Sequence, residues 1–159
     1  MGNNTENKPG RIVFVDDDND IRQVVRDSFQ MADVSKDVVI ATCGSGGELL
    51  KRLNELQPAL ILLDLHMPGM NGIDFIHTLR DHKDGAHTPV IFLTGETRVE
   101  MKKQYEDIGV IGVIHKPFDV KTLPEQTFAI WRSEGFTGEE GQVLTDLMEE
   151  DTNTFKETN

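Results

Sequence analysis

At 159 residues the chain is long enough for one domain with a real core and too short for two ordinary ones, and its formal net charge of -12 excludes the broad positive field that nucleic-acid binding requires. No apolar run approaches the ~18 residues that cross a bilayer, and residues 1–10 lack the layout of a signal peptide. The single cysteine, Cys43, rules out an internal disulfide, so a soluble, cytoplasmic protein that meets other proteins, with no nucleic acid and no membrane as partner, is expected.

Residues 1–10 read as an extension; Met1-Gly2 is followed by Glu6 where a myristoylation pattern wants Ser or Thr. Residues 11–15 form the first short apolar run, read as a buried strand that leads straight into Asp16-Asp17. Ile21, Val24, Val25, Ser28 and Phe29 then fall on one helical face, with Asp18 or Asn19 as N-cap. A second strand is predicted over 37–41, with Cys43 as a small buried residue after it. The stripe Leu49, Leu50, Leu53 and Leu56 stops before Pro58. The third strand, 59–63, ends at Asp64 and is followed by the tight loop Leu65-His66-Met67-Pro68-Gly69, then by a helix carrying Ile73, Ile76 and Leu79.

The fourth strand, 90–93, opens through Thr94 into Gly95; Met101, Tyr105 and Ile108 give the next helix, closed by Gly109. The fifth, 110–114, precedes Lys116-Pro117-Phe118. Its helix has Thr122-x-x-Glu125 as a capping box, Pro124 in the first turn, and Leu123, Phe128 and Trp131 as apolar contacts. Residues 136–159 hold seven acids and one base, half of the net charge, and read as an acidic tail, although Val143, Leu144, Leu147 and Met148 have the spacing of one or two amphipathic turns.

Strand and helix alternate five times, which implies a parallel sheet with helices on both faces and right-handed crossovers. In such sheets ligands bind beyond the carboxyl ends of the strands, and Asp16, Asp17, Asp64, Thr94 and Lys116 all stand at those ends. An Asp where an all-buried strand emerges is poorly explained by packing, and three converging carboxylates need a cation. Taken singly, Asp16 and Asp17 are better read as acids at a helix start, Thr94 as a strand-end hydroxyl and Lys116 as a solvated lysine; their shared position outweighs those readings. His66, His77, His82, His87 and His115 lack metal-ligand spacing and read as solvent-exposed. Asp16-x-Asp18-x-Asp20 imitates a calcium loop, but Ile21 stands where that loop needs Gly.

Four fragments in order, Val15-Asp16-Asp17-Asp18, Leu63-Asp64-Leu65-His66-Met67-Pro68-Gly69-Met70-Asn71-Gly72, Phe92-Leu93-Thr94-Gly95 and His115-Lys116-Pro117-Phe118, resemble the receiver domain of two-component response regulators, over residues 10 to about 133. The resemblance implies a flavodoxin-like (βα)5 fold, a doubly wound five-stranded parallel sheet with strand order 2-1-3-4-5. It implies that a histidine kinase or histidine phosphotransfer protein delivers phosphate to Asp64 as nucleophile, with Mg²⁺ held by Asp16, Asp17, Asp64 and the backbone carbonyl of His66. Lys116 and Thr94 would supply a charge and a hydroxyl to the phosphoryl oxygens, and residues 97–131 would form the face that meets a downstream protein. His66 and Glu96 flank the site and are expected to tune dephosphorylation. The family commonly carries Tyr or Phe three residues before the lysine, where this chain has Val113, so signalling is expected to rely on the backbone and Thr94.

Such a protein is a signalling phosphoacceptor and not an enzyme, beyond self-catalysed phosphorylation and dephosphorylation; a homodimer is left open. The expected organisation is an extension over 1–10, a stand-alone receiver over 11–134 and the acidic tail over 135–159, which would modulate partner contact. Two other readings remain at this point. An apolar strand ending in three acids also resembles the first motif of haloacid-dehalogenase phosphatases, with Asp16 as nucleophile, although the later acidic motif of that family has no counterpart after Lys116. A receiver-like module that signals without phosphate is the other.

Overall fold

The computed structural model describes residues 9–95 and 102–134. Strands β1 (Arg11–Val15), β2 (Val39–Cys43), β3 (Leu60–Asp64), β4 (Val90–Thr94) and β5 (Val110–His115) make one parallel sheet in the order β2-β1-β3-β4-β5. Helices α1 (Asn19–Met31), α2 (Gly46–Leu56), α3 (Gly72–Arg80), α4 (Lys102–Asp107) and α5 (Leu123–Glu134) connect them, with a 3₁₀ turn over Asp33–Ser35. The flavodoxin-like architecture and strand order expected from the sequence are those observed.

The continuous apolar runs have their cause in the layers. β3 is central and covered on both faces, so Leu60, Ile61, Leu62 and Leu63 are all fully buried. Leu60 and Leu62 join Ile12, Phe14, Val25, Phe29 and Phe128 on the side of α1 and α5, where the Phe29 and Phe128 rings meet edge to face at 6.0 Å. Ile61 and Leu63 join Leu49, Leu53, Ile76, Leu79 and Phe92 on the side of α2, α3 and α4, where Phe92 meets Tyr105 at 4.9 Å.

Caps set where each strand-to-helix loop ends. The Asp18 side chain accepts from the Asp20 and Ile21 amides, and that of Asn71 from the Ile73 and Asp74 amides. A cap unexpected from the sequence opens α2: Ser45 Oγ accepts from the Glu48 amide at 3.0 Å, and Glu48 Oε1 accepts from the Gly44 amide at 2.8 Å. The Gly44 bond is the main cause of a lowered Glu48 pKa. Before α5, the Thr122 hydroxyl donates to the Asp119 carbonyl at 3.1 Å. Gly109 takes the left-handed conformation, φ 83°, after α4, as a helix-ending glycine should.

Several boundaries and faces differ from expectation. β2 starts two residues later than predicted and includes Cys43, because the Val39 amide pairs with the Gly10 carbonyl at 3.0 Å and the 3₁₀ turn absorbs the chain before it. β3, β4 and β5 each run one residue further, so Asp64, Thr94 and His115 are the strands' last residues. Val24 lies 42 % exposed beside buried Val25, because α1 turns the edge carrying Val25 and Phe29 to the sheet and leaves Val24 at its flank. Phe75, outside the expected α3 stripe, is buried. His66, His77, His82 and His87 are exposed as expected, whereas His115 is half-buried at the end of β5. Residues 1–8 of the 1–10 extension, Glu96, Met101, part of the 97–131 face and the 135–159 tail lie outside the described residues. No helix among the described residues is long and apolar enough to cross a membrane.

Candidate functional site

Register brings the strand tips together. β1 and β4 both pair with β3, with Val15 opposite Leu63 and Asp64 opposite Leu93. The Asp16 amide continues the ladder onto the Cys43 carbonyl at 3.1 Å, the Leu65 amide onto Leu93 at 3.0 Å and the Lys116 amide onto Thr94 at 2.8 Å. The five residues singled out from the sequence therefore follow one another across the carboxyl edge of β1, β3, β4 and β5.

Carboxylate oxygens of Asp16, Asp17 and Asp64 lie within 4.8 Å of one another, Asp16 and Asp64 buried and Asp17 exposed. Burial pushes the Asp16 carboxyl up to about 6, the Asp64 charge adds to the rise, and a hydrogen bond from the Asp18 amide, 2.9 Å to Oδ1, opposes it. Two nearly dry acids held this close are what a hard divalent ion relieves, and an all-oxygen ligand set suits Mg²⁺. The cluster fits such an ion on chemical grounds. Arg22, which carried no signal in the sequence, supports it from behind: Nη1 donates to the Asp16 carbonyl at 2.6 Å and Nη2 to Asn19 Oδ1 at 3.0 Å.

Asp64 Oδ1 holds two donors, Lys116 Nζ at 2.7 Å and the His66 amide at 2.9 Å. The lysine side chain is 29 % exposed and that of the aspartate 4 %, so the pair sits at the rim of the site. The ion pair that Lys116 makes is with Asp64. Thr94 is buried at the tip of β4, next along from the partner of Asp64. The imidazole of His66 crosses to β4 and accepts from the Gly95 amide at Nε2, 3.0 Å away. The Lys116–Pro117 peptide is cis. Val113 packs half-buried against the cluster that includes Phe92 and Tyr105.

Cys43 is buried at the end of β2 and its thiol is pushed up to about 11, first by that burial, which makes it a packing residue. A second polar centre escaped the sequence except as a basic residue in a helix's last turn. The Arg80 guanidinium donates to the Gly85, Thr88, Ile108 and Gly109 carbonyls at the amino ends of β4 and β5.

A family model described as the response regulator receiver domain matches residues 12–127. The chain is 35% identical over 122 residues to the DNA-binding dual master transcriptional regulator RpaA of Synechocystis, an alignment covering 77% of this chain and 49% of that protein, so it spans about half the length of that relative. It is 30% identical over 120 residues to the chemotaxis protein CheY-3 of Vibrio cholerae, covering 76% of this chain and 90% of that one. The solved structure of the chemotaxis response regulator CheY4 of Vibrio cholerae superposes with a TM-score of 0.65 at 28% identity, over 77% of this chain and 99% of that one.

Proposed function

The chain belongs to the response regulator receiver family, a phosphorylation-activated signalling module, and on that premise we propose that Asp64 is its phosphoacceptor. What carries the assignment is the 2.7 Å contact of Lys116 Nζ with a buried carboxylate that closes the central strand and faces two further acids. In the step, a carboxylate oxygen of Asp64 bonds to phosphorus while the bond from phosphorus to the donor's imidazole nitrogen or acyl oxygen breaks. The donor leaves with that electron pair. Lys116 offsets charge on the phosphoryl oxygens and the Thr94 hydroxyl donates to one of them. Asp16, Asp17, Asp64 and the His66 carbonyl would hold Mg²⁺, which supplies charge neutralisation for the acids and the transferred group.

Donors of the right chemistry are a histidine kinase or a histidine phosphotransfer protein, and any catalysis is confined to the domain's own phosphorylation and dephosphorylation. The added charge of about -1.5 to -2 acts on Thr94 and Lys116, from which α4, β5 and α5 follow directly, so output runs through that face to a protein target. With Val113 in place of an aromatic ring, the change is carried by Thr94 and the backbone. Beryllofluoride with Mg²⁺ should then shift amides between residues 94 and 131; an unchanged spectrum there refutes the switch. The acceptor itself is tested by intact mass after acetyl phosphate and Mg²⁺. The wild type gains one phosphate, and Asp64→Asn gains none; an equal gain in Asp64→Asn, lost instead in Asp16→Asn, would move the nucleophile to Asp16.

A further inference from the structure

The two loops that frame the β3–β4 side of the site are joined by one side chain. His66 donates its amide to Asp64 Oδ1 at 2.9 Å and, through Nε2, accepts the Gly95 amide at 3.0 Å, across 29 positions of sequence. The Leu93 and Thr94 carbonyls are already engaged by Leu65 and Lys116, so Gly95 is the first residue of this connection outside the ladder. A Cβ built on Gly95 would meet Nε2 at 3.5 Å, an ordinary contact distance, so the imidazole lies against this residue's backbone. An acceptor at Nε2 puts the ring proton on Nδ1. One exposed residue thus senses the phosphoacceptor through its backbone and holds the start of the β4–α4 connection through its ring.

We propose that His66 is a positioning residue whose imidazole straps the β4–α4 connection to the β3–α3 loop while Asp64 is unmodified, and biases the domain toward that state. The proposal rests on Asp64 being the phosphoacceptor. An acyl phosphate on Asp64 adds bulk and charged oxygens between the two loops, and charged acceptors outcompete a neutral imidazole for N–H donors. Strap and adduct therefore oppose each other, and a ligand that favours one arrangement shifts the population by its differential affinity. His66→Ala removes the strap. His66→Gln restores it, because Gln Oε1 stands as many bonds from Cβ as His Nε2 does.

The experiment has two arms on the full chain. In Mg²⁺-free ¹⁵N-labelled protein at pH 8, a two-bond ¹⁵N–¹⁵N coupling is expected between His66 Nε2 and the Gly95 amide, and it should vanish with Mg²⁺ and beryllofluoride. Its absence from the free protein, or its survival in the loaded one, overturns the strap. In the second arm His66→Ala should bind beryllofluoride at saturating Mg²⁺ about three- to tenfold more tightly than wild type, the range one ordinary hydrogen bond commands, with His66→Gln within twofold of wild type. Unchanged or weaker binding by His66→Ala, or a His66→Gln that behaves like His66→Ala, overturns the bias. If the wild type itself fails to bind beryllofluoride while the coupling is present, the phosphoacceptor reading fails and takes the bias with it, leaving the contact demonstrated.

Discussion

Arg80→Met tests what anchors the pole of the fold opposite the site. Met keeps the apolar stem and removes all five donors. In the structure Nε and Nη2 reach the Ile108 carbonyl at 3.2 and 3.0 Å, Nη1 reaches Gly85 and Thr88 at 2.8 and 2.7 Å, and Nη2 reaches Gly109 at 3.4 Å. Bonds from a charged donor are worth ~1.5–3 kcal/mol each, so the four shorter ones set a ceiling of roughly 6–12 kcal/mol. Two effects cut this down. Burial opposes the guanidinium charge, lowering its pKa, and at a half-buried position water reaches the freed carbonyls. The expected loss is about 3 kcal/mol, a large share of the 5–15 kcal/mol usual for a domain, or about 10 °C in Tm. Urea unfolding followed by circular dichroism reads it as a lower midpoint at constant slope. Arg80→Lys should recover less than half, since one ammonium cannot serve carbonyls on two loops. A loss under about 0.5 kcal/mol, or full recovery by Lys, would mean that this network does not join the loops energetically.

The Asp16 shift predicts a pH dependence. Its folded-state pKa lies above the 3.8 of an ordinary aspartate, so its contribution to metal-free stability is fully present below about 3.8 and is lost as pH rises through about 6. Asp16→Asn should gain stability over wild type between pH 5 and 7 in EDTA while losing Mg²⁺-dependent stabilisation; a wild-type-minus-variant difference that is flat with pH contradicts this. Lys116→Met should slow phosphate uptake from acetyl phosphate by about 10²-fold or more, as loss of a charge-stabilising donor does elsewhere, measured as mass gain against time; a rate within threefold of wild type refutes its role. Neighbouring glycines in α2 should part company. Gly46→Ala places Cβ 2.7 Å from the buried Phe75 ring and should cost about 1–2 kcal/mol, whereas Gly47→Ala meets Ser45 Oγ at 3.8 Å and should gain roughly 0.5 kcal/mol from helix propensity. Chemical denaturation of the two single variants compares them.

Local chemistry made much of this protein legible before any coordinates. The apolar runs that become β1, β3, β4 and β5 are buried on both faces and need no partner to be recognised, and Asp18 caps α1 as its residue type suggests. The start of β2 lies two residues later than the sequence suggests because this edge strand, unlike β5 at the other edge, is half-exposed, with no continuous buried run, and its start depends on the Gly10 carbonyl, far away in the chain. Phe75 and Val24 exchanged roles because helical spacing gives a face but not its rotation against the sheet. The acids at strand ends could be read as one site since parallel strands bring their carboxyl ends to one edge whatever their order.

By itself, then, the sequence determined the alternation of strand and helix, the common edge on which Asp16, Asp17, Asp64, Thr94 and Lys116 stand, and through its four motifs the family. Only the tertiary structure decided that Lys116 Nζ reaches Asp64 Oδ1 across 52 positions, that the His66 ring ends on the Gly95 amide and that Arg80 gathers carbonyls from two loops. Strand and helix identity follows from neighbours a few residues apart. Contacts of a few ångströms between distant residues follow from register, layer packing and rotamers, which exist only once the chain has closed on itself.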